Sequence, residues 1–307
     1  MSYEPLQNEF TWSKSRHEKF KECPRAYYLH YYGSWGGWEQ QAGSDVRELW
    51  ILKKLSTRWQ WAGSVVHSAL EELLLRAKRG APLRTLEELV ERTQRRARSQ
   101  WAGSREKGYW RDPKSVPGLV EHEYAEPVPS EEWKRLWDEV IEGSLRGFYA
   151  SDTFRAIQAV PREQWLSVDE LDSFVFEGTK IWVAVDFAYR DGRGRVHVLD
   201  WKTGKERGVD HVQVGIYALY AQEKWQVPPD DVTGGLVYLA TGGERIDVAV
   251  DAAALDGCKE AMRSSIAGMR ERLDDVAANE ASMARFPMPE SRDACRRCPF
   301  RRPCGRM

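Results

Sequence analysis

The stretch VHVLDWKTGK, residues 196–205, begins as an apolar strand and then places an aspartate and a lysine two residues apart. Side chains two apart in a strand share a face, so the pattern predicts one face for Val198, Asp200 and Lys202. The residues between them fall on the other face. The stretch therefore predicts an acid and a base side by side on one face of a sheet.

The preceding stretch, KIWVAVDFAYR at 180–190, is a second predicted strand that carries Asp186. Its apolar side chains recur at every second position, which predicts a half-buried strand. Asp186 leaves on the face opposite this apolar stripe, which consists of Ile181, Val183, Val185, Phe187 and Tyr189.

The turn-forming sequence Asp191-Gly192-Arg193-Gly194 predicts a hairpin between these two strands. A three-residue loop centred on Arg193 would place Asp186 opposite Asp200, with their Cβ atoms about 5 Å apart. Two like charges at that distance need compensation, and a divalent cation is the natural source. A two-residue loop would shift the register by one and flip the face. The alternative is that both aspartates are ordinary exposed strand residues.

The chain of 307 residues is 42% hydrophobic and 30% charged, which predicts a folded globular protein. No run approaches the about 18 apolar residues of a membrane-spanning helix, and residues 1–10 do not resemble a leader. We expect a cytoplasmic protein with no membrane partner. The net charge of −1 does not indicate a nucleic-acid partner, although the arginine-rich segments 92–100 and 296–306 can provide local contacts.

Periodicity along the chain predicts a mainly helical part over 1–160, a sheet core over 161–250 and a C-terminal part over 251–307, all within one elaborated domain. The predicted helices span 13–32, 64–79, 84–101, 130–150, 208–223 and 251–279, with a long loop or insertion at 102–130. The predicted strands span 168–178, 180–190, 196–202, 234–241 and 245–250. This order predicts an α/β fold with a central mixed sheet flanked by helices.

Polar residues on two helices accompany the two aspartates. Gln213 and Tyr217 are four residues apart on a predicted helix, so their polar tips can point to the same place. His67, in GSVVH at 63–67, lies near a helix start. A histidine at such a position more often packs or caps than binds a metal.

The ordered set formed by GSVVH, Asp186, Asp200-Trp201-Lys202, Gln213 and Tyr217 resembles the PD-(D/E)XK nuclease superfamily, specifically its RecB-like exonuclease branch. The resemblance covers about residues 60–220. It implies a restriction-endonuclease-like core in which Asp186 and Asp200 bind a catalytic Mg²⁺ or Mn²⁺ ion. It also implies that Lys202 positions or activates the attacking water.

The resemblance assigns further residues to the same site. It implies His67 and Trp201 at the metal, Gln213 and Tyr217 as supports of the site or contacts to DNA, and Glu170 as an additional acid. The chain departs from the family pattern at Val183, where many members have glycine, and at Asp200, where the wider superfamily often has glutamate. Neither departure removes a ligand.

Four of the five cysteines form a split set. Cys295, Cys298 and Cys304 follow the spacing C-x2-C-x5-C near the C-terminus, and Cys23 lies in FKECPRAYY near the N-terminus. Four thiolates suit a zinc ion or an iron–sulfur cluster, and a shared site requires the two chain ends to meet. The alternative is a set of independent thiols. The fifth, Cys258, is predicted to be a simple thiol on a helix.

The cysteine spacing resembles the iron–sulfur nuclease branch shared by AddB-type nuclease domains and CRISPR-associated RecB-like exonucleases. The segment SKSRHEKFKECPRAYY at 13–28 extends the resemblance. It implies a [4Fe-4S] cluster at Cys23, Cys295, Cys298 and Cys304, with Zn²⁺ as the alternative.

The resemblance implies a metal-dependent DNA nuclease, an exonuclease on single-stranded or end-containing DNA, acting in DNA repair, recombination or CRISPR adaptation. The alternative is a DNA-end-binding subunit whose nuclease activity is weak or depends on a partner. The sequence has no G-x-x-x-x-G-K-[ST] loop, so unwinding would come from a helicase or an integration or recombination partner. Aromatic residues crowd 27–38 and can either stack on bases or form core.

Overall fold

The computed structural model describes residues 6–204 and 211–306. Its strands are β1 (Thr11–Ser13), β2 (Trp165–Phe176), β3 (Thr179–Arg190), β4 (Val196–Lys202), β5 (Val232–Tyr238) and β6 (Glu244–Ala249). Its α-helices are α1 (Lys14–Glu22), α2 (Pro24–Tyr28), α3 (Ser44–Leu52), α4 (Arg58–Lys78), α5 (Leu86–Arg105), α6 (Val120–Glu123), α7 (Ser130–Arg135), α8 (Gly143–Ala150), α9 (Asp152–Ala159), α10 (His211–Trp225) and α11 (Ala252–Arg270).

The six strands form one mixed sheet, which confirms the predicted α/β class. Strands β2, β3 and β4 are antiparallel neighbours, β4 pairs with β5 in parallel, and β6 closes the sheet antiparallel to β5. The short β1 pairs with β3 in parallel at residues 180–182. Because β2 occupies the other edge of β3 along most of its length, β1 and β4 share one edge of β3.

Several predicted helices have different limits in the structure. The segment 13–32 starts at the last residue of β1 and holds α1 and α2, with an extended break at Cys23, where the following Pro24 starts α2. The helix at 251–279 ends at Arg270. The sequence pattern missed α3 and α9. The helix predicted from 208 is described from His211, and its first residues lie outside the described part of the chain.

The segment 102–130, predicted as a long loop or insertion, contains more structure than expected. It includes the last turn of α5, a 3₁₀ turn at Gly108–Trp110 and the short helix α6. Glu123 of α6 is buried and accepts hydrogen bonds from Tyr109 Oη at 2.8 Å and Trp110 Nε1 at 2.9 Å. Internal bonds of this kind hold a polar segment in place without regular secondary structure.

The sheet has a hydrophobic cluster on each face. Helices α10 and α11 pack on one face against residues such as Val183, Val185 and Val198. Helices α4, α5, α8 and α9 pack on the other face, where the cluster includes Leu199 and Trp201. Strand β4 thus alternates between the two faces as its sequence predicted.

Strand β3 changes phase at Asp186, so its predicted single apolar stripe is wrong beyond Val185. Ile181, Val183 and Val185 belong to the α10 side, but Phe187 and Tyr189 belong to the α4 side. The β2–β3 pairing omits Asp186 and its opposite residue Asp169, which has a φ of +45°. Such a local irregularity lets the strand reverse the direction of its side chains.

The two ends of the chain meet. Trp12 Nε1 donates to Ser265 Oγ at 2.9 Å, and Arg25 Nε donates to the carbonyl of Phe286 at 2.8 Å. Tyr27 is fully buried and packs against Phe286, so this member of the N-terminal aromatic group is core. Within the described residues, none of the helices combines the length and the apolar character needed to cross a bilayer.

Candidate active site

The site lies at a fork between β3 and β4. These strands pair from Arg190↔Val196 to Phe187↔Leu199, the register that a loop centred on Arg193 predicted. The ladder ends there, one pair short of Asp186 and Asp200, so the predicted cross-strand pair of aspartates is not formed. Beyond the fork, β1 takes over the same edge of β3 at 180–182. A cleft of about 1470 Å³ opens at the fork, and Asp186 and Asp200 line it.

Asp200 is buried on the α10 side of the fork, and α10 holds its carboxylate. Tyr217 Oη donates to Asp200 Oδ1 at 2.8 Å, and Gln213 Nε2 donates to the same oxygen at 2.6 Å. Burial, followed by the charges of Asp200 and Asp186, raises the pKa of Tyr217 well above its usual value, so the phenol stays a neutral donor. The predicted pair on α10 therefore converges on one oxygen atom.

Lys202 lies beside Asp200 on the same face of β4, as the two-residue spacing predicted. Its Nζ is 2.5 Å from Asp200 Oδ2, and it donates to Gln213 Oε1 at 3.1 Å. The ion pair is close, yet Oδ2 has no hydrogen-bond partner of normal geometry among the residues that the structure describes. This oxygen therefore keeps lone pairs that a further ligand can use.

Asp186 lies on the α4 side of the fork. Its Oδ1 is 3.0 Å from His67 Nδ1, and its Oδ2 accepts from the backbone N–H of Trp201 at 2.7 Å. Burial raises the pKa of Asp186, and the charge of Asp200 adds to the effect, although His67 and the Trp201 N–H act against it. The cleft therefore holds two carboxylates whose like charges repel each other.

His67 reaches the site because α4 approaches the end of β4 closely. A Cβ atom added to Gly63, one turn before His67, would lie 3.1 Å from Thr203 Oγ1. Burial lowers the pKa of His67, but its bond to Asp186 and the charges of Asp186, Asp200 and Asp169 together raise it above the usual value. The GSVVH motif thus places the His67 imidazole in contact with the Asp186 carboxylate.

Trp201 and Glu170 are placed differently from the other predicted residues. The Trp201 indole is 3% exposed and packs against Phe148, and an indole N–H only donates, so the Trp201 backbone carbonyl is the group it could offer to a metal. Glu170 is exposed on β2, and its charge acts on Tyr220 and Lys224 of α10. It is not among the residues that line the cleft.

The sequence pattern missed one acid that lines the cleft, Asp169 of β2. Asp169 is next to Glu170, and the pKa of Glu71 is raised by burial and by the nearby charge of Asp169. Glu71 is four residues after His67 on α4, so helical spacing from the histidine would have found it. Nothing in the alternation of β2 indicates the conformation of Asp169.

Three cysteines of the split set, Cys23, Cys298 and Cys304, pack against one hydrophobic cluster where the chain ends meet. Cys23 Sγ accepts from the N–H of Ala26 at 3.3 Å at the start of α2. Burial raises the pKa of Cys298 to about 12, and the charges of Cys304 and Cys23 act in the same direction. Burial also raises the pKa of Cys304, and the charges of Cys23 and Cys295 act in the same direction. Cys258 lies apart, between α10 and α11.

The donor sets suit the metals that the sequence implied. Oxygen ligands such as the carboxylates of Asp186 and Asp200 are those that Mg²⁺ and Mn²⁺ prefer, and a cation would relieve their mutual repulsion. Four crowded thiols suit Zn²⁺ or an iron–sulfur cluster. Within residues 6–204 and 211–306, however, no group of three or more His, Cys, Asp or Glu side chains is placed so that it could hold a metal ion.

A comparison with protein families matches residues 11–305 to the model of the PD-(D/E)XK nuclease superfamily. The match spans nearly the whole chain, and the chain therefore belongs to this superfamily. A comparison with curated proteins gives no match. Membership makes the chain a metal-dependent nuclease that hydrolyses phosphodiester bonds in DNA, and nucleases of this superfamily usually use Mg²⁺ or Mn²⁺.

Proposed function

We propose that the protein is an exodeoxyribonuclease of the RecB-like branch that acts on single-stranded DNA or on free DNA ends, with the fork between β3 and β4 as its active site. The observation that carries this proposal is the convergence of Asp186, Asp200 and Lys202 on one cleft, with Asp200 fixed by Tyr217 and Gln213. Superfamily membership supports the reaction class.

The carboxylates of Asp186 and Asp200 would hold the metal ion, with His67 and the Trp201 carbonyl as further candidates. When bound, Mg²⁺ or Mn²⁺ supplies a sink for negative charge and lowers the pKa of a coordinated water. The Nδ1 atom of His67 already faces Asp186, so His67 would offer its Nε2 atom. Trp201 N–H orients Asp186 by donating to Oδ2.

Lys202 would stabilise the charge that develops at the scissile phosphate. Its ammonium is a compact cation next to the Asp200 carboxylate, so it can also hold the attacking water by a hydrogen bond. Gln213 links the two, since it donates to Asp200 and accepts from Lys202. We assign Gln213 and Tyr217 as positioning residues of this pair.

We further propose a [4Fe-4S] cluster at Cys23, Cys295, Cys298 and Cys304, with Zn²⁺ as the alternative. Cys23, Cys298 and Cys304 pack against the same hydrophobic cluster, which supports a shared centre. When bound, the cluster would tie the C-terminal segment to the start of α2. The cellular setting in this proposal is the cytoplasm, in DNA repair, recombination or CRISPR adaptation, with a helicase or an integration or recombination protein as partner.

The experiment compares linear and circular single-stranded DNA of the same sequence, incubated with the protein and Mn²⁺ or Mg²⁺. We expect the linear strand to shorten progressively from an end and the circle to stay intact. A chelator should stop the reaction. Cutting of the circle would show an endonuclease, and tight binding of ends without any cutting would favour the end-binding subunit instead.

A further inference from the structure

The sheet carries an open platform next to the catalytic fork. Beyond the phase change at Asp186, the α4-side face of β2 and β3 presents three cross-strand pairs: Leu171 with Ala184, Ser173 with Trp182, and Val175 with Lys180. Leu171 is 66% exposed and Val175 is 64% exposed, values that set them apart from the buried residues of the opposite face. We refer to these six residues as the platform.

Trp182 stands at the centre of the platform. Its two neighbours across the sheet are serines, Ser173 on β2 and Ser13 on β1. Both of these neighbours are small, and the indole between them is half-buried. The Lys180 ammonium lies over one face of the Trp182 ring, 4.2 Å from its centre, and places a positive charge there.

The platform continues into the catalytic cleft. Leu171, Trp182 and Ala184 line the same cleft as Asp186 and Asp200. The same cleft is also lined by polar residues, with Lys14 and Ser15 at the start of α1 and Gln60 and Ser64 on α4. The cleft therefore offers apolar side chains for rings and polar side chains for a charged backbone.

We propose that the platform binds unpaired bases of the substrate strand, with Trp182 as the stacking residue that selects single-stranded DNA. This inference rests on the proposed nuclease function and adds the recognition of the substrate. An unpaired base exposes its ring face, and stacking on an aromatic side chain is independent of sequence. Inside a duplex the bases are stacked on one another and offer no face to the indole. Lys180 would contact the adjoining phosphate.

The test measures binding without added divalent metal, so that DNA is not cut. Three fluorescently labelled ligands of equal length are compared: a thymidine strand, the same strand lacking its bases, and a blunt duplex. We expect the wild-type protein to bind the thymidine strand about tenfold more tightly than the abasic strand. Trp182→Ala should abolish most of this difference, and Trp182→Phe should keep most of it.

Trp35→Ala is the matched control, because Trp35 is a surface tryptophan that packs against Trp38 outside the cleft. It should leave the preference for bases intact. Leu171→Ser provides a second variant that does not disturb the core, and it should reduce the preference two- to threefold, roughly the loss of part of one stacking contact. The proposal would be overturned if the wild type bound the thymidine strand and the abasic strand with equal affinity. It would also be overturned if Trp182→Ala and Leu171→Ser kept the wild-type preference for the thymidine strand.

The result is separable from the nuclease assay. If the protein cuts DNA with Mn²⁺ but Trp182→Ala keeps the full preference for bases, the platform is wrong and the nuclease stands. If the preference depends on Trp182 but no DNA is ever cut, the nuclease proposal is wrong and the platform is a single-strand binding surface. If Trp182→Ala weakens thymidine, abasic and duplex binding equally, Trp182 does not read bases and the inference fails.

Discussion

At the scale of single residues, the position of Asp200 depends on donors from one helix. Tyr217 and Gln213 both reach Oδ1, and the Oδ2 atom is left to Lys202 and to the cleft. The i and i+4 spacing on α10 was readable from the sequence, but the atom on which the two side chains converge was not. That atom depends on how α10 packs on β4, which is a tertiary property.

Tyr217→Phe should lower kcat about tenfold and leave KM almost unchanged. The substitution removes a hydrogen bond to a charged group, worth about 1.5–3 kcal/mol, and keeps the shape of the buried ring. Steady-state cleavage of a labelled strand measures the effect. Tyr220→Phe is the matched control, since the Tyr220 hydroxyl donates to Asp172 instead and should leave kcat unchanged. Equal kcat in Tyr217→Phe and wild type would refute the positioning role.

At the scale of elements, the β3–β4 hairpin was predictable because its loop is local. Gly194 adopts a φ of +84° and Asp191 N–H donates to the carbonyl of Arg195, so the turn chemistry alone sets the register. The phase change at Asp186 was not predictable, because it depends on the left-handed conformation of Asp169 across the sheet. Strand β1 was missed because three residues carry too little periodicity.

Two helical glycines should respond to alanine in opposite directions. A Cβ atom on Gly147 of α8 would lie 2.0 Å from the carbonyl oxygen of Leu239, so Gly147→Ala should lower the free energy of unfolding by about 2 kcal/mol or more. Gly257 of α11 is exposed with no atom within 4 Å of such a Cβ, so Gly257→Ala should raise it by about 0.5–1 kcal/mol. Urea unfolding measures both changes. A neutral Gly147→Ala would contradict the close approach of α8 to this backbone.

At the scale of the whole molecule, the fold joins its two ends around the cysteine set. Arg302 near the C-terminus pairs with Glu123 at 2.8 Å and with Glu48 at 2.9 Å. Several partners around Glu123 outweigh the effect of burial and lower its pKa. The cysteine spacing predicted that the ends meet. It could not predict the Glu123 contacts, because they link segments about 180 residues apart with no shared pattern.

Serine at any one of Cys23, Cys295, Cys298 and Cys304 should remove the metal centre. We expect anaerobically purified wild type to show visible absorbance and bound iron, and each serine variant to lose both and to unfold at a lower temperature. Cys258→Ala is the control and should retain the iron. Colourless protein with one bound zinc would select the Zn²⁺ alternative. Full iron content in any of the four serine variants would contradict a four-cysteine centre.

We propose that the fork between β3 and β4 is a nuclease site, and this proposal can be tested directly. The most direct measurement is the rate at which Asp200→Asn, compared with Asp247→Asn, cleaves end-labelled single-stranded DNA in Mn²⁺. Asp247 lies on β6, half exposed and outside the cleft, so its variant should cleave at the wild-type rate. Asp200→Asn should lose at least about a hundredfold, because it removes a charged ligand at the reaction centre. Equal rates for the two variants would contradict the account.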